Sequence, residues 1–177
     1  MGDFAYEHLV KSIPDYPEPG VIFKDITPLL ADSDGFAAVI DCIVDHFKDA
    51  GITKVVGAEA RGFMVAAPVA YRLGAGFIPA RKPGKLPRAT YNEQYDLEYG
   101  TSELQIHADA LSEGDVVLLV DDLVATGGTA LAQAKLAQRM GARVVGMAFL
   151  MELAFLHPRE IITRELDIEF FSLIQVD

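Results

Sequence analysis

Apolar residues recur at Phe36, Val39, Ile40, Ile43, Val44 and Phe47. That is the rhythm of one helix face, so the spacing predicts a helix over residues 34–50, closed by Gly51. From Lys54 onward the pattern changes. "KVVGAE", "GFIPAR", "DVVLLVDD", "RVVGMAFLME" and "EFFSLIQ" read as strands, and three of them are continuous apolar runs without alternation. Between them, "RGFMVAAPVAYRL", "GGTALAQAKLAQRM" and "PREIITREL" carry helical spacing. Strands buried on both faces and separated by helices predict an α/β fold, a parallel central sheet with helices on both faces. Upstream, residues 3–13 read as a short amphipathic helix. Pro14, Pro17, Pro19 and Gly20 then impose an extended crossing. "VIFKDITPLL" leans to strand and is interrupted at Pro28. A loop runs from Lys82 to about Tyr91, and "YDLEYG" with "SELQIHA" form a strand pair bent at Gly100.

Parallel sheets bind ligands at the carboxyl ends of their strands. "VVLLVDDLVATGGTA", residues 116–130, lies at such an end, with Asp121 and Asp122 closing the strand. In the turn Ala125-Thr126-Gly127-Gly128-Thr129, glycines let successive main-chain N–H groups converge. The following helix adds its free N-terminal amides and the positive end of its dipole. Thr126 and Thr129 add hydroxyls. The result is a cup for one phosphate. Neither GxxxxGK[ST] nor GxGxxG is present, so a terminal monophosphate fits better than a triphosphate or a dinucleotide. Paired carboxylates accept hydrogen bonds from a vicinal diol, and they could also hold Mg²⁺ through its waters. A ribose 5-phosphate would satisfy both ends of the stretch.

Composition narrows the partners. The chain has 177 residues, 51% of them hydrophobic, and a formal net charge of −11. That length suits one domain with a sizeable core. The acidic balance disfavours nucleic-acid binding, and no apolar run is long enough for a membrane span. No basic segment with an apolar run opens the sequence, and the single cysteine, Cys42, permits no intrachain disulfide. Both fit a cytoplasmic protein. Cys42 reads as a small buried apolar residue. His8, His46, His107 and His157 show no metal-ligand spacing, so no side-chain-ligated metal is expected.

The stretch 116–130 resembles the phosphoribosyl-diphosphate (PRPP) motif of the type I phosphoribosyltransferases. "PGVIFKDITPLL", "GAEARGF" and "RKPGKLPRATYNEQYDLEYGTSELQIH" are similar to the adenine branch of that family, over roughly residues 15–175. The resemblance implies a small hood from about residues 1–30, a mobile basic loop over about 82–95, Mg²⁺ carried in with PRPP, and a homodimer. It implies transfer of the phosphoribosyl group to N9 of adenine, giving AMP and pyrophosphate.

Arg81, Lys82, Lys85 and Arg88 are four of the chain's fifteen Lys and Arg. Such a concentration in an acidic chain calls for a local anion, and pyrophosphate is the candidate. The resemblance assigns Glu59, Ala60 and Arg61 to the same anion, with a non-proline cis peptide at Glu59–Ala60. From the residues alone, Arg61 could equally be an ion-pair partner at a helix start. The resemblance sets Glu98 facing N7 of the purine, where a carboxylate could take the N7 proton as N9 attacks the ribose. It also assigns the adenine edge to main-chain groups of Ile22 and Lys24, with Phe23 stacking on the base. Adenine offers a donor at N6 and an acceptor at N1, and hypoxanthine reverses both, so a fixed C=O and N–H pair separates them. One departure is Gln94, where many members carry Ser or Thr. A phosphoribosyltransferase for another base, or a PRPP-sensing regulator, are the alternatives.

Overall fold

The computed structural model describes residues 4–96 and 100–177. Five strands build the central sheet: β3 (Lys54–Ala58), β4 (Gly76–Ala80), β7 (Val116–Val124), β8 (Arg143–Leu153) and β9 (Glu169–Val176). Their order across the sheet is β4-β3-β7-β8-β9 and every pairing is parallel, as the apolar runs predict.

Successive strand residues point to opposite faces. Val55 and Leu118 join one core with α2 (Ser33–Phe47) and α3 (Arg61–Leu73). Val56 and Leu119 join the other with α4 (Gly128–Arg139) and α5 (Pro158–Glu165). Both faces are therefore dry, which explains why the strands lack alternation. The helix predicted over 34–50 is α2, and Asp32 caps it by accepting from the Gly35 amide at 2.7 Å. Helix α3 spans the predicted residues and ends on Gly74 in the left-handed region.

Four expectations need correction. Residues 7–9 form only a 3-10 turn, followed by strand β1 (Lys11–Pro14), which pairs antiparallel with β2 (Ile22–Asp25). Phe4, Tyr6, Leu9 and Val10 still pack on the core, so the amphipathic pattern reflects burial without a helix. Pro28 does not break an element. It stands in the first turn of α1 (Thr27–Ala31), where its missing N–H costs nothing. Strand β7 does not stop at the acid pair but continues to Val124, because β8 extends its ladder through Met151 and Glu152. Cys42 is exposed, since it faces away from the apolar stripe of α2.

The segment after β4 forms a second ribbon, β5 (Thr90–Asp96) antiparallel to β6 (Thr101–His107); the strand pair is as expected, but its first strand begins at Thr90 rather than Tyr95, because the ladder with β6 runs back to His107. Arg139 at the end of α4 fastens it, donating to Asn92 O at 2.9 Å and pairing with Glu93 at 3.1 Å.

Candidate active site

The chain leaves β3 for β4 on one side, then crosses to β7 on the other. The strand order therefore reverses between β3 and β7. Their carboxyl ends flank the crevice where open α/β sheets take ligands. Each end carries one of the stretches singled out by sequence. Glu59, Ala60 and Arg61 follow β3; Asp121 and Asp122 lie near the end of β7, and Ala125 to Thr129 follow it.

The turn after β7 has the predicted shape. Gly127 stands at φ 86° as the N-cap of α4, a conformation strained for any residue with a Cβ. Outside helices and strand ladders, no amide from Thr126 to Ala130 donates to an acceptor among the described residues, and the first amide so engaged is Leu131, bonded to Gly127 O. These donors line a cavity of about 150 Å³ together with Asp121 and Phe149. Unpaired N–H groups at a helix N-terminus attract an anion.

The acid pair sits beside the start of α3. Gly62 permits that approach, since a Cβ there would overlap the Asp121 carboxylate. The Asp121 side chain is closely surrounded by protein, and its Oδ1 accepts the Asp122 amide at 2.9 Å. Burial, and then the neighbouring Asp122 charge, push its pKa well above the ordinary 3.8. Asp122 is only 6% exposed. Arg61 Nε lies 2.8 Å from Asp122 Oδ2, yet out of line for a hydrogen bond. That buried oxygen lacks a hydrogen-bond donor among the described residues. Asp121, by contrast, shares the cavity with the free amides, and a carboxylate there can accept sugar hydroxyls or face a hydrated cation.

Arg61 thus joins the site through Asp122, and its guanidinium also lies 5.2 Å from the Phe23 ring centre. The Glu59–Ala60 bond is cis. The amides of Ala60, Arg61 and Gly62 donate to no acceptor outside the helix and strand ladders among the described residues. Arg81 is held by Glu59 of its own chain at 2.6 Å and donates to Lys85 O at 3.2 Å. Arg88 is paired with Asp109. Of the four basic residues in this stretch, Lys82 and Lys85 extend exposed side chains, so the local positive charge is smaller than the count implies. Glu98 lies outside the described residues.

Ile22, Phe23 and Lys24 lie in β2, in a two-stranded ribbon whose outer edge pairs with no strand among the described residues. Ile22 is 63% exposed. Tyr16 packs edge-on against Phe23 at 5.2 Å, and Lys24 Nζ donates to Ser12 Oγ at 2.9 Å. A cavity of about 480 Å³ joins Ile22 and Lys24 to Ala125, Leu153 and Phe155. Sequence reasoning missed Leu153, which ends β8, and Phe155, which lies just beyond it, although the crevice rule could have flagged both. It also missed Lys135 and Tyr95, which line a cavity of about 290 Å³ with Gln94, Thr126 and Gly128.

Among the described residues no group of three or more His, Cys, Asp or Glu is placed to hold a metal, and no helix is long and apolar enough to cross a membrane.

The family model for the phosphoribosyl transferase domain matches residues 26–169. An adenine phosphoribosyltransferase from Serratia proteamaculans is 56% identical over 165 residues, covering 93% of this chain and 83% of the relative. The crystal structure of adenine phosphoribosyltransferase from Thermoanaerobacter pseudethanolicus superposes with TM-score 0.91 at 45% identity, covering 96% of this chain and 97% of its own. The Giardia lamblia enzyme, complexed with 9-deazaadenine, gives TM-score 0.92 at 37% identity, covering 100% of this chain and 99% of its own. With a family match across most of its length and a fold shared end to end with these enzymes, the chain belongs to the phosphoribosyl transferase family, on its adenine branch.

Proposed function

We propose that the chain transfers the 5-phosphoribosyl group of PRPP to N9 of adenine, giving AMP and pyrophosphate. The observation that carries this reading is the turn of unengaged cup amides sharing one cavity with Asp121 at the point of strand-order reversal. A single phosphorylated sugar satisfies both.

In this reading Ala125 to Thr129 bind the 5-phosphate, and Asp121 and Asp122 accept the ribose 2- and 3-hydroxyls. Positive charge grows at C1 and the ring oxygen as pyrophosphate departs, and the buried carboxylates stabilise it. Glu59, Ala60 and Arg61 offer amides and a guanidinium to the pyrophosphate, with Arg81, Lys82 and Lys85 completing the anion site. Arg81 exchanges Glu59 for the leaving group, in its own site or in the partner's across the dimer. The outer edge of β2 at Ile22 and Lys24 reads the adenine edge, and Phe23 stacks on the ring. The hard oxygen donors of Asp121 and Asp122, too few to cage an ion alone, fit Mg²⁺ held through its waters. When bound with PRPP, Mg²⁺ neutralises diphosphate charge. One domain over residues 1–177, with residues 1–30 as hood and 82–95 as lid, working as a cytoplasmic homodimer, completes the proposal.

Glu98 takes the N7 proton. Glu98→Gln lowers the single-turnover rate by about a hundredfold or more, while AMP binding changes little. An unchanged chemical step removes Glu98 from this role.

Pyrophosphate release tests the function. With PRPP and Mg²⁺, adenine supports turnover and hypoxanthine supports about a hundredfold less. Preference for another base contradicts the adenine assignment. PRPP binding without release under any base identifies a sensor instead.

A further inference from the structure

Helix α5 lies outside every motif named above, yet it packs beneath the phosphate cup. Ile162 is fully buried. Its Cγ1 and Cδ1 stand 3.2 and 3.3 Å from the position that a Cβ on Gly127 would take. The cup's only residue at positive φ is thus set down on one side chain of α5.

A half-buried clamp fixes α5 to the sheet. Glu152 is 3% exposed and sits in register with Val124, the residue that precedes the cup. Its Oε2 accepts from Arg159 Nη2 at 2.9 Å and from Ser172 Oγ at 2.7 Å. Arg159 also donates to Phe170 O at 3.0 Å, and its guanidinium lies 4.3 Å from the Phe170 ring centre. Phe170 packs at 5.2 Å on Phe149, which lines the cup cavity itself. The clamp therefore reaches the cup by two routes, through Ile162 under Gly127 and through Phe170 to Phe149. A planar guanidinium that donates through Nη2 to Glu152 and through Nη1 to Phe170 O locks orientation in a way that a flexible ammonium does not.

We propose that Ile162, set by the Glu152–Arg159 clamp, is a positioning residue for PRPP, holding the cup amides in their phosphate-binding arrangement. The inference rests on residues 125–129 being the 5-phosphate cup.

The test compares Ile162→Ala and Ile162→Val with Ile43→Ala, an equally buried isoleucine in the opposite core. Steady-state kinetics and calorimetric AMP binding are read alongside Tm. Ile162→Ala raises KM for PRPP and Kd for AMP about tenfold, with KM for adenine within about twofold. Ile162→Val recovers most of that loss. Ile43→Ala lowers Tm comparably and leaves KM for PRPP unchanged. Should Ile162→Ala not fold, Arg159→Lys reads the same quantities and shifts them the same way. Equal shifts in both isoleucine variants, or an Ile162→Ala or Arg159→Lys protein with normal KM for PRPP, overturns the proposal. Wild-type protein that fails to bind AMP overturns the cup assignment, and this inference with it.

Discussion

Gly127→Ala lowers kcat/KM for PRPP by about a hundredfold while the protein remains folded. Two costs act together. Gly127 holds φ 86°, which costs an L-residue about 1–2 kcal/mol. An added Cβ also meets Ile162 at 3.2 Å, closer than packed carbons settle. The turn relieves both by shifting, and the converging amides are what shift. Misplacement of a binding group by about 1 Å is enough for a loss of that size. Gly114→Ala is the control: it has φ 93° and open space around the new methyl. It lowers Tm by a few degrees and leaves kcat/KM alone. Steady-state kinetics on both variants, with Tm from calorimetry, separate lost cup geometry from general backbone strain. Equal activity in the two variants would show that the cup does not bind PRPP.

Asp121→Asn moves activity and stability in opposite directions. Loss of an acceptor for a sugar hydroxyl costs about 1–3 kcal/mol, which lowers kcat/KM by about five- to a hundredfold. The same substitution removes a charge that the fold disfavours. Burial, then the Asp122 carboxylate, raise the Asp121 pKa well above 3.8. Below pH 3.8 the group is protonated in both folded and unfolded chains, and Asn brings no gain. As pH rises past 3.8, the unfolded chain ionises first, so the native protein loses stability until the folded pKa is passed. The advantage of Asn therefore grows from acid to neutral pH and then levels off. At neutral pH Asn raises Tm, and by more than it does at pH 4. Thermal unfolding of both proteins between pH 4 and 8 checks the sign. A Tm difference that shrinks as pH rises contradicts the argument.

The fold was most legible where burial is a local signal. The strands from Lys54 onward are dry on both faces, so their apolar runs declare them without reference to partners. Helix α3 was readable from its stripe and from Gly74. The N-terminal segment was not, because its strand exists only by pairing with β2, eight to fourteen residues away in the register of Lys11 with Asp25 down to Pro14 with Ile22. Phe4, Tyr6, Leu9 and Val10 look the same in sequence whether a helix or an irregular segment buries them. The glycine turn and the acid pair were legible because they are contiguous, the carboxylates near the end of a strand and the glycines directly after it. Cys42 shows the opposite limit: its neighbours on α2 are buried, but a helix turns its side chain to solvent.

Contacts across the fold were out of reach. No local pattern couples Arg61 to Asp122 or Arg81 to Glu59. Those pairings change the electrostatic picture, because two cations assigned to an incoming anion already face carboxylates. The Glu152–Arg159 clamp was equally hidden. Glu152 sits at the end of an apolar run and gives no sign in sequence that Ser172 and Arg159 will satisfy it.

A crystal structure of the protein soaked with AMP tests the central claim most directly. The account predicts the 5-phosphate within hydrogen-bond distance of the amides around Gly127 and Gly128, with the ribose hydroxyls on Asp121 and Asp122. A phosphate anchored elsewhere, with those amides still unengaged, would contradict it.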